Sequence, residues 1–209
     1  MPFTQESLQI NQISIHLLYY EAFDALEYLA HLTQLEQERF FTFSNPTRQQ
    51  EFVATRILRH SIFGFQHIHY TDIGSPYIEG AGFISISHCP GVVGIALCHE
   101  HTIGLDLEII SGKAKRVYTK FLSEKEFQHF DCDNELEMTR VWSAKEALYK
   151  LANRKSILFQ KELEVSKSSN EIWQGKIVQP SSVWFFELTT FVHKNFVVTI
   201  NTSSAKPEK

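Results

Sequence analysis

Cysteine is scarce in this sequence. Its three residues, Cys89, Cys98 and Cys132, are an odd number without CxxC spacing, which excludes a disulfide framework or a thiolate metal site as the organising feature. They read as the reduced thiols of a cytoplasmic protein. Long apolar runs are lacking too, and none approaches the ~18 residues that could span a membrane. The opening Met1-Pro2-Phe3-Thr4-Gln5-Glu6 has no basic-then-apolar pattern of a signal peptide. Positive charge is not in excess: the net charge of -4 argues against whole-molecule binding of nucleic acid, which needs a positive field to displace counterions. With few prolines and glycines and 43% hydrophobic residues, the 209-residue chain has an ordinary globular composition, long enough for one sizeable core or two small lobes.

Taken in order, residues 13–19 are β-branched and aromatic enough for a strand, and residues 22–39 predict a helix with Leu26, Leu29, Leu32 and Leu35 on one side. Asn45-Pro46 predicts a second helix, closed by Gly64. Within it Phe52, Ile57 and Phe63 face a core, and Arg48, Arg56 and Arg59 are left for solvent or a ligand. Residues 83–88 and 92–97 form a hairpin, and residues 103–108 a further strand. Its period of two sets Leu105 and Leu107 on one face and Gly104, Asp106 and Glu108 on the other, with the glycine leaving room for a ligand. Ser123-Glu124-Lys125-Glu126 is a capping box. Residues 140–151 take a helical period, with Val141, Ala144, Leu148 and Leu151 as the apolar stripe and Glu146 and Lys150 one turn apart opposite it. Strands near 163–166 and 172–178 and a hairpin over 183–200 follow, and 201–209 reads as a disordered tail.

Each half thus offers a long helix and a closing hairpin. The expected fold class is α+β: two similar fused lobes, residues 1–98 and 99–200, each a small antiparallel sheet packed with a long helix and related by pseudo-twofold symmetry. The seam at 98–102 lacks linker composition, so the lobes should share a cleft.

Asp106, Glu108 and Glu146 are three carboxylates on two rigid elements. Converging, they suit a hard cation such as Mg²⁺, with Lys145 and Lys150 neutralising a phosphate. Taken alone, however, an acidic strand face is an exposed sheet face, and an i,i+4 Glu/Lys pair is a helix support worth ~0.2–0.5 kcal/mol.

The combination carries more. Ile103-Gly104-Leu105-Asp106-Leu107-Glu108, then Trp142-Ser143-x-Lys145-Glu146-Ala147-x-x-Lys150, with Ser85-Ile86-Ser87-His88 ahead of both, closely resembles the signature of the 4′-phosphopantetheinyl transferases. The length and spacing resemble the two-lobed, single-chain Sfp-type subgroup. The resemblance implies Mg²⁺-dependent (Mn²⁺ as an alternative) transfer of the phosphopantetheine arm from coenzyme A to a serine of an acyl or peptidyl carrier protein by a cytoplasmic monomer. By position, Asp106, Glu108 and Glu146 would hold the metal, and Glu146 and Lys150 would be catalytic. Arg39, Ser75, Ser85, Ser87, His88, Lys145 and Lys150 would contact coenzyme A, although the helical angle of Lys145 lies nearer the apolar stripe. Two departures stand out: Gly74-Ser75-Pro76 after Tyr70 replaces a Gly-Lys-Pro preceded by Arg, and Asn153-Arg154-Lys155-Ser156 replaces a glycine-rich turn. Arg48, Arg56 or Arg154 could supply the missing cations.

His67-x-His69 and His99-x-His101 lack a third ligand and read as solvated surface residues. The basic residues Lys113, Lys115, Arg116 and Lys120 would dock an acidic carrier. Competing readings are a catalytically weak relative that binds a carrier protein or coenzyme A, and another Mg²⁺-dependent phosphoryl-transfer enzyme.

Overall fold

The chain opens with two strands whose alternation is weak on one side and strong on the other. In a computed structural model, which describes residues 2–208, β1 (Phe3–Ile10) and β2 (Ile13–Tyr20) form a hairpin turned at Asn11. The sequence reading overlooked β1 because it is a half-exposed edge strand with a polar middle, Thr4-Gln5-Glu6-Ser7. The single helix expected over 22–39 is two pieces. A 3₁₀ segment, Ala25–His31, is followed by α1 (Gln34–Phe40), which Thr33 and Glu36 start afresh with a capping box. Leu26 and Leu35, assigned there to an apolar stripe, are 54% and 65% exposed.

Helix α2 (Pro46–Phe63) follows its sequence signals: Asn45 accepts from the Thr47 amide, Pro46 lies in the first turn, and Gly64 ends it at φ +62°. A two-residue pair, β3 (His69–Tyr70) with β4 (Pro76–Tyr77), precedes the hairpin β5 (Phe83–Cys89) and β6 (Val92–Cys98). The first sheet runs β1-β2-β6-β5.

The second lobe begins with β7 (Leu105–Ile109), then α3 (Gly112–Val117), α4 (Glu124–Phe127), α5 (Glu135–Leu151) and α6 (Phe159–Glu162). Strands β8 (Leu163–Lys167), β9 (Ile172–Gln179), β10 (Ser182–His193), β11 (Phe196–Asn201) and β12 (Lys206–Pro207) complete it. Its sheet runs β7-β11-β10-β9-β8, with β12 beside β10. The architecture is α+β, the two larger sheets antiparallel and each packed with one long helix. Among the described residues no helix is long and apolar enough to cross a membrane.

The lobes share one apolar core. Ile13, Ile15, Leu17 and Ala96 of the first pack with Leu105, Leu107, Val198 and Ile200 of the second. Polar contacts then set the register. Ser85 Oγ accepts from the Leu105 amide at 2.9 Å and Ser87 Oγ from the Leu107 amide at 3.0 Å, so β5 satisfies the edge of β7 that β11 leaves open. Asn201 clamps the approach to β7: its side chain accepts from the Gly104 amide at 2.8 Å and donates to the Thr102 carbonyl at 2.9 Å.

That clamp corrects the disordered tail expected from Asn201 onward. Asn201 is fully buried, and β12 pairs with Trp184 and Phe185. Gly104 is corrected as well. A Cβ there would lie 2.3 Å from the Ala147 carbonyl oxygen, so the space it leaves is taken by α5 and not by a ligand.

Two variants test this account of the seam by urea denaturation. Gly104→Ala should lose at least the ~1–3 kcal/mol of an overpacked core, since backbone and not a flexible side chain blocks it. Asn201→Ala should lose ~1–3 kcal/mol for two stranded buried backbone groups. A wild-type midpoint in either variant would contradict it.

Candidate functional site

Helix α5 lies on the face of β7 that carries Gly104, Asp106 and Glu108, and each residue of Trp142-Ser143-Ala144-Lys145-Glu146-Ala147-Leu148-Tyr149-Lys150 has its own neighbour. Trp142 stacks on Phe159 with ring centroids 5.5 Å apart and donates Nε1–H to Glu108 Oε2 at 3.2 Å. Ser143 donates to Thr199 Oγ1, which donates to Thr190 Oγ1, a buried chain of hydroxyls joining the helix to β11 and β10. Ala147 meets Gly104, and Leu148 fills the space above Gly175. Lys150 donates to the Leu105 carbonyl and, at 3.2 Å, to Asp106 Oδ1.

Lys145, one of the expected ligand contacts, is turned inward. It is fully buried and donates to Glu126 Oε2 at 2.6 Å and to the carbonyls of Phe121 and Phe159 at 2.6 and 3.1 Å. All three ammonium donors are used, so the expected contact with coenzyme A is corrected to an internal tie between α5 and α4. Glu126, read from sequence only as a capping residue, is the other half of that pair.

The carboxylates lie near enough to shift one another's ionisation. Glu146 is pushed up to about 7 by burial and then by Asp106, with Lys150 pulling the other way. Burial and Asp106 likewise raise Glu108. Asp106 is 5% exposed, and its Oδ1 accepts from Lys150 and from Ser87 Oγ at 3.3 Å. Its buried Oδ2 has no hydrogen-bond partner. Among the described residues no three His, Cys, Asp or Glu side chains form a ready-made chelate. A buried carboxylate oxygen without a donor, beside two carboxylates resisting ionisation, nevertheless fits a hard divalent cation. Such an ion takes oxygen ligands, keeps several waters and shares substrate phosphates.

Beside this centre the cleft continues as two cavities sharing Gly74 and Ile86. One, of about 190 Å³, is lined by Ser75, Ser85, Tyr149, Lys150, Asn153 and Arg154 among others. The next, of about 250 Å³, is lined by Arg39, Arg48, Glu51, Arg56, Tyr70 and His88 among others. Ser75 Oγ donates to Asn153 Oδ1 at 3.3 Å. His88 Nε2 lies 3.1 Å from Glu51 Oε2 and 3.3 Å from Arg48 Nη1, and burial pulls its pKa down.

Ser85 and Ser87, expected as coenzyme A contacts, both spend their hydroxyls on β7, although Ser85 still lines the smaller cavity. Arg56 and Arg59 are corrected from available to buried. Arg56 Nε donates to Glu36 Oε1 at 3.2 Å and Arg59 Nη2 to Oε2 at 3.3 Å. Arg56 keeps a side on the cavity. His101, read as a surface residue, is buried against the Thr102 carbonyl. Sequence reasoning passed over Glu51 and Tyr70. Glu51 was legible as the i+3 partner of Arg48 on α2, whereas only the tertiary fold brings Tyr70 to the cavity.

The family model described as the 4′-phosphopantetheinyl transferase superfamily matches residues 102–200. This span holds β7, α5 and β8 to β11 and so contains all three carboxylates. The match covers 99 of the 209 residues, all of them in the carboxylate lobe or the approach to it. A comparison with curated proteins finds no match.

The electrostatics of Glu146 can be read as stability. Its folded pKa of about 7 exceeds the ordinary 4.5, so between these values the folded chain binds more protons than the unfolded one and stability falls as pH rises. Glu146→Gln should therefore raise Tm at pH 8 in chelator and by much less at pH 5, and millimolar Mg²⁺ should narrow the pH 8 gap by stabilising the wild type. Equal Tm differences at the two pH values would contradict this assignment.

Proposed function

We propose that this chain, which by its carboxylate lobe belongs to the 4′-phosphopantetheinyl transferase superfamily, transfers the 4′-phosphopantetheine arm of coenzyme A to a serine of an acyl or peptidyl carrier protein. It would act as a cytoplasmic, monomeric holo-carrier synthase of the Sfp type, its fused lobes related by a pseudo-twofold axis. The observation that carries this reading is the placing of Asp106, Glu146 and Lys150 at one end of a cleft whose other end is lined by Arg39, Arg48, Arg56 and His88.

Asp106 through Oδ2, with Glu108 and Glu146, would hold Mg²⁺ or Mn²⁺, which supplies charge neutralisation at the pyrophosphate. Glu146, with a pKa near neutrality, would take the carrier serine proton directly or through a water. The serine oxygen forms a bond to the phosphorus bearing the pantetheine arm as the bond from that phosphorus to the oxygen of adenosine 3′,5′-bisphosphate breaks. Lys150, anchored on β7, sets its ammonium against the phosphates. Ser85 and Ser87 serve by fixing β7. The three arginines and His88 take the nucleotide end, so Arg48 and Arg56 make up for a cation that Ser75 does not provide. Lys113, Lys115 and Arg116 on α3, with Lys120 beyond it, would form a basic surface for an acidic carrier, and Lys113 also lowers the pKa of Glu146 and Glu108.

Incubation with coenzyme A, Mg²⁺ and an apo carrier protein should add the mass of one phosphopantetheine arm to the carrier. Asp106→Ala and Glu146→Ala should slow that gain by about 10²–10⁴-fold. No gain with the wild type leaves a binding-only relative and sinks the transferase reading. Reversing the four charges around α3 should raise the carrier KM, and an unchanged KM would end the docking role.

A further inference from the structure

The 250 Å³ cavity is organised by a residue that need not touch its contents. The Arg39 guanidinium lies 4.6 Å from the centroid of the Tyr70 ring, and the Tyr70 hydroxyl accepts from Arg56 Nη2 at 3.2 Å. One side chain thus holds two arginines that come from different helices, α1 and α2. Arg56 is fixed again from below, where Glu36 accepts from its Nε and Phe52 lies 3.7 Å beneath the guanidinium. Stacking on a ring sets the plane of a guanidinium and leaves its N–H edge free. Among the described residues the Arg39 fork has no acceptor, and Arg56 keeps Nη1 unused.

Charge in the cavity is lopsided. Among its lining residues three arginines stand against one carboxylate, Glu51, which is already shared by Arg48 at 3.0 Å and His88 at 3.1 Å. Planar forks with free edges, and more positive charge than a single carboxylate ligand would balance, match a tetrahedral dianion with several acceptor oxygens.

We propose that Tyr70 is a positioning residue that aligns Arg39 and Arg56 on a phosphomonoester dianion, and so sets the preference of this site for a nucleotide carrying a second, monoester phosphate. Identifying that group as the 3′-phosphate of coenzyme A rests on the function proposed above. The alignment itself does not. Removing the phenol oxygen frees Arg56 Nη2 while the stack under Arg39 remains; removing the ring frees both.

The test is calorimetric titration of the full chain with adenosine 3′,5′-bisphosphate and, separately, with 5′-AMP, which lacks the 3′-phosphate. The wild type should bind the bisphosphate more tightly. Tyr70→Phe should cut that preference roughly fivefold, the fold-change for one lost hydrogen bond of ~1 kcal/mol, and Tyr70→Leu should cut it further. A merely structural role would weaken both nucleotides in step, so an unchanged affinity ratio in both variants overturns the proposal, as does a wild type without preference. Tyr70 is 36% exposed, so both variants should fold, whereas Glu36→Gln would strand two buried guanidiniums. Carrier mass gain is read separately, so failure of transfer and failure of the binding preference are distinguishable.

Discussion

Two serine hydroxyls hold the molecule in its working shape. Strand β7 is hydrogen-bonded to β11 along one edge, and the amides of Leu105 and Leu107 on the other would be buried and unpaired without Ser85 and Ser87. A side-chain oxygen reaches where a neighbouring strand backbone would, so β5 sits beside β7 without continuing its ladder. Because the same Ser87 hydroxyl donates to Asp106, the contact that joins the lobes also orients the central carboxylate. Fold and site are therefore not separable at this position.

The α5 segment shows how a run of nine residues can be almost fully specified. Small residues face where space is short, Ala147 against the backbone at Gly104 and Ala144 in the apolar core. Hydroxyl and ammonium groups face where buried polar partners wait, at Ser143 and Lys145. Only Glu146, Tyr149 and Lys150 line or approach the cleft. A lysine and a glutamate adjacent in sequence thus have opposite fates, one closing an internal ion pair with Glu126 and the other set near Asp106 and Lys150. Breaking the internal pair would strand a buried charge, which is costly whatever the net worth of the pair.

Much of this was legible from the chain. Helix α2 was announced by Asn45, Pro46 and Gly64, and the hairpin over 83–97 by alternation on one strand and an apolar run on the other. The facing of Asp106 and Glu108 followed from a period of two. What sequence could not supply was partnership at long range. Nothing local tells that Gly104 is empty for Ala147, that Ser85 serves a strand twenty positions on, or that Asn201 closes the start of β7. Polar residues were misassigned in one consistent direction: Lys145 and the two serines, expected at a ligand, spend their polar groups inside the protein, and Arg59, left for solvent or a ligand, is buried against Glu36. A motif preserves residues for packing as readily as for chemistry, and spacing alone does not separate the two.

The contact between Gly104 and Ala147 bears on how such a sequence can change over time. Asp106 stands two residues beyond one side of that contact, and Glu146 one residue before the other. Their separation is therefore set by backbone touching backbone, with no side chain interposed whose size could vary. The apolar residues of both lobes can be exchanged and repacked through many generations while the two carboxylates keep their distance. Divergence of the core and constancy of the site are compatible here because a hydrogen atom at one position takes the place of a spacer.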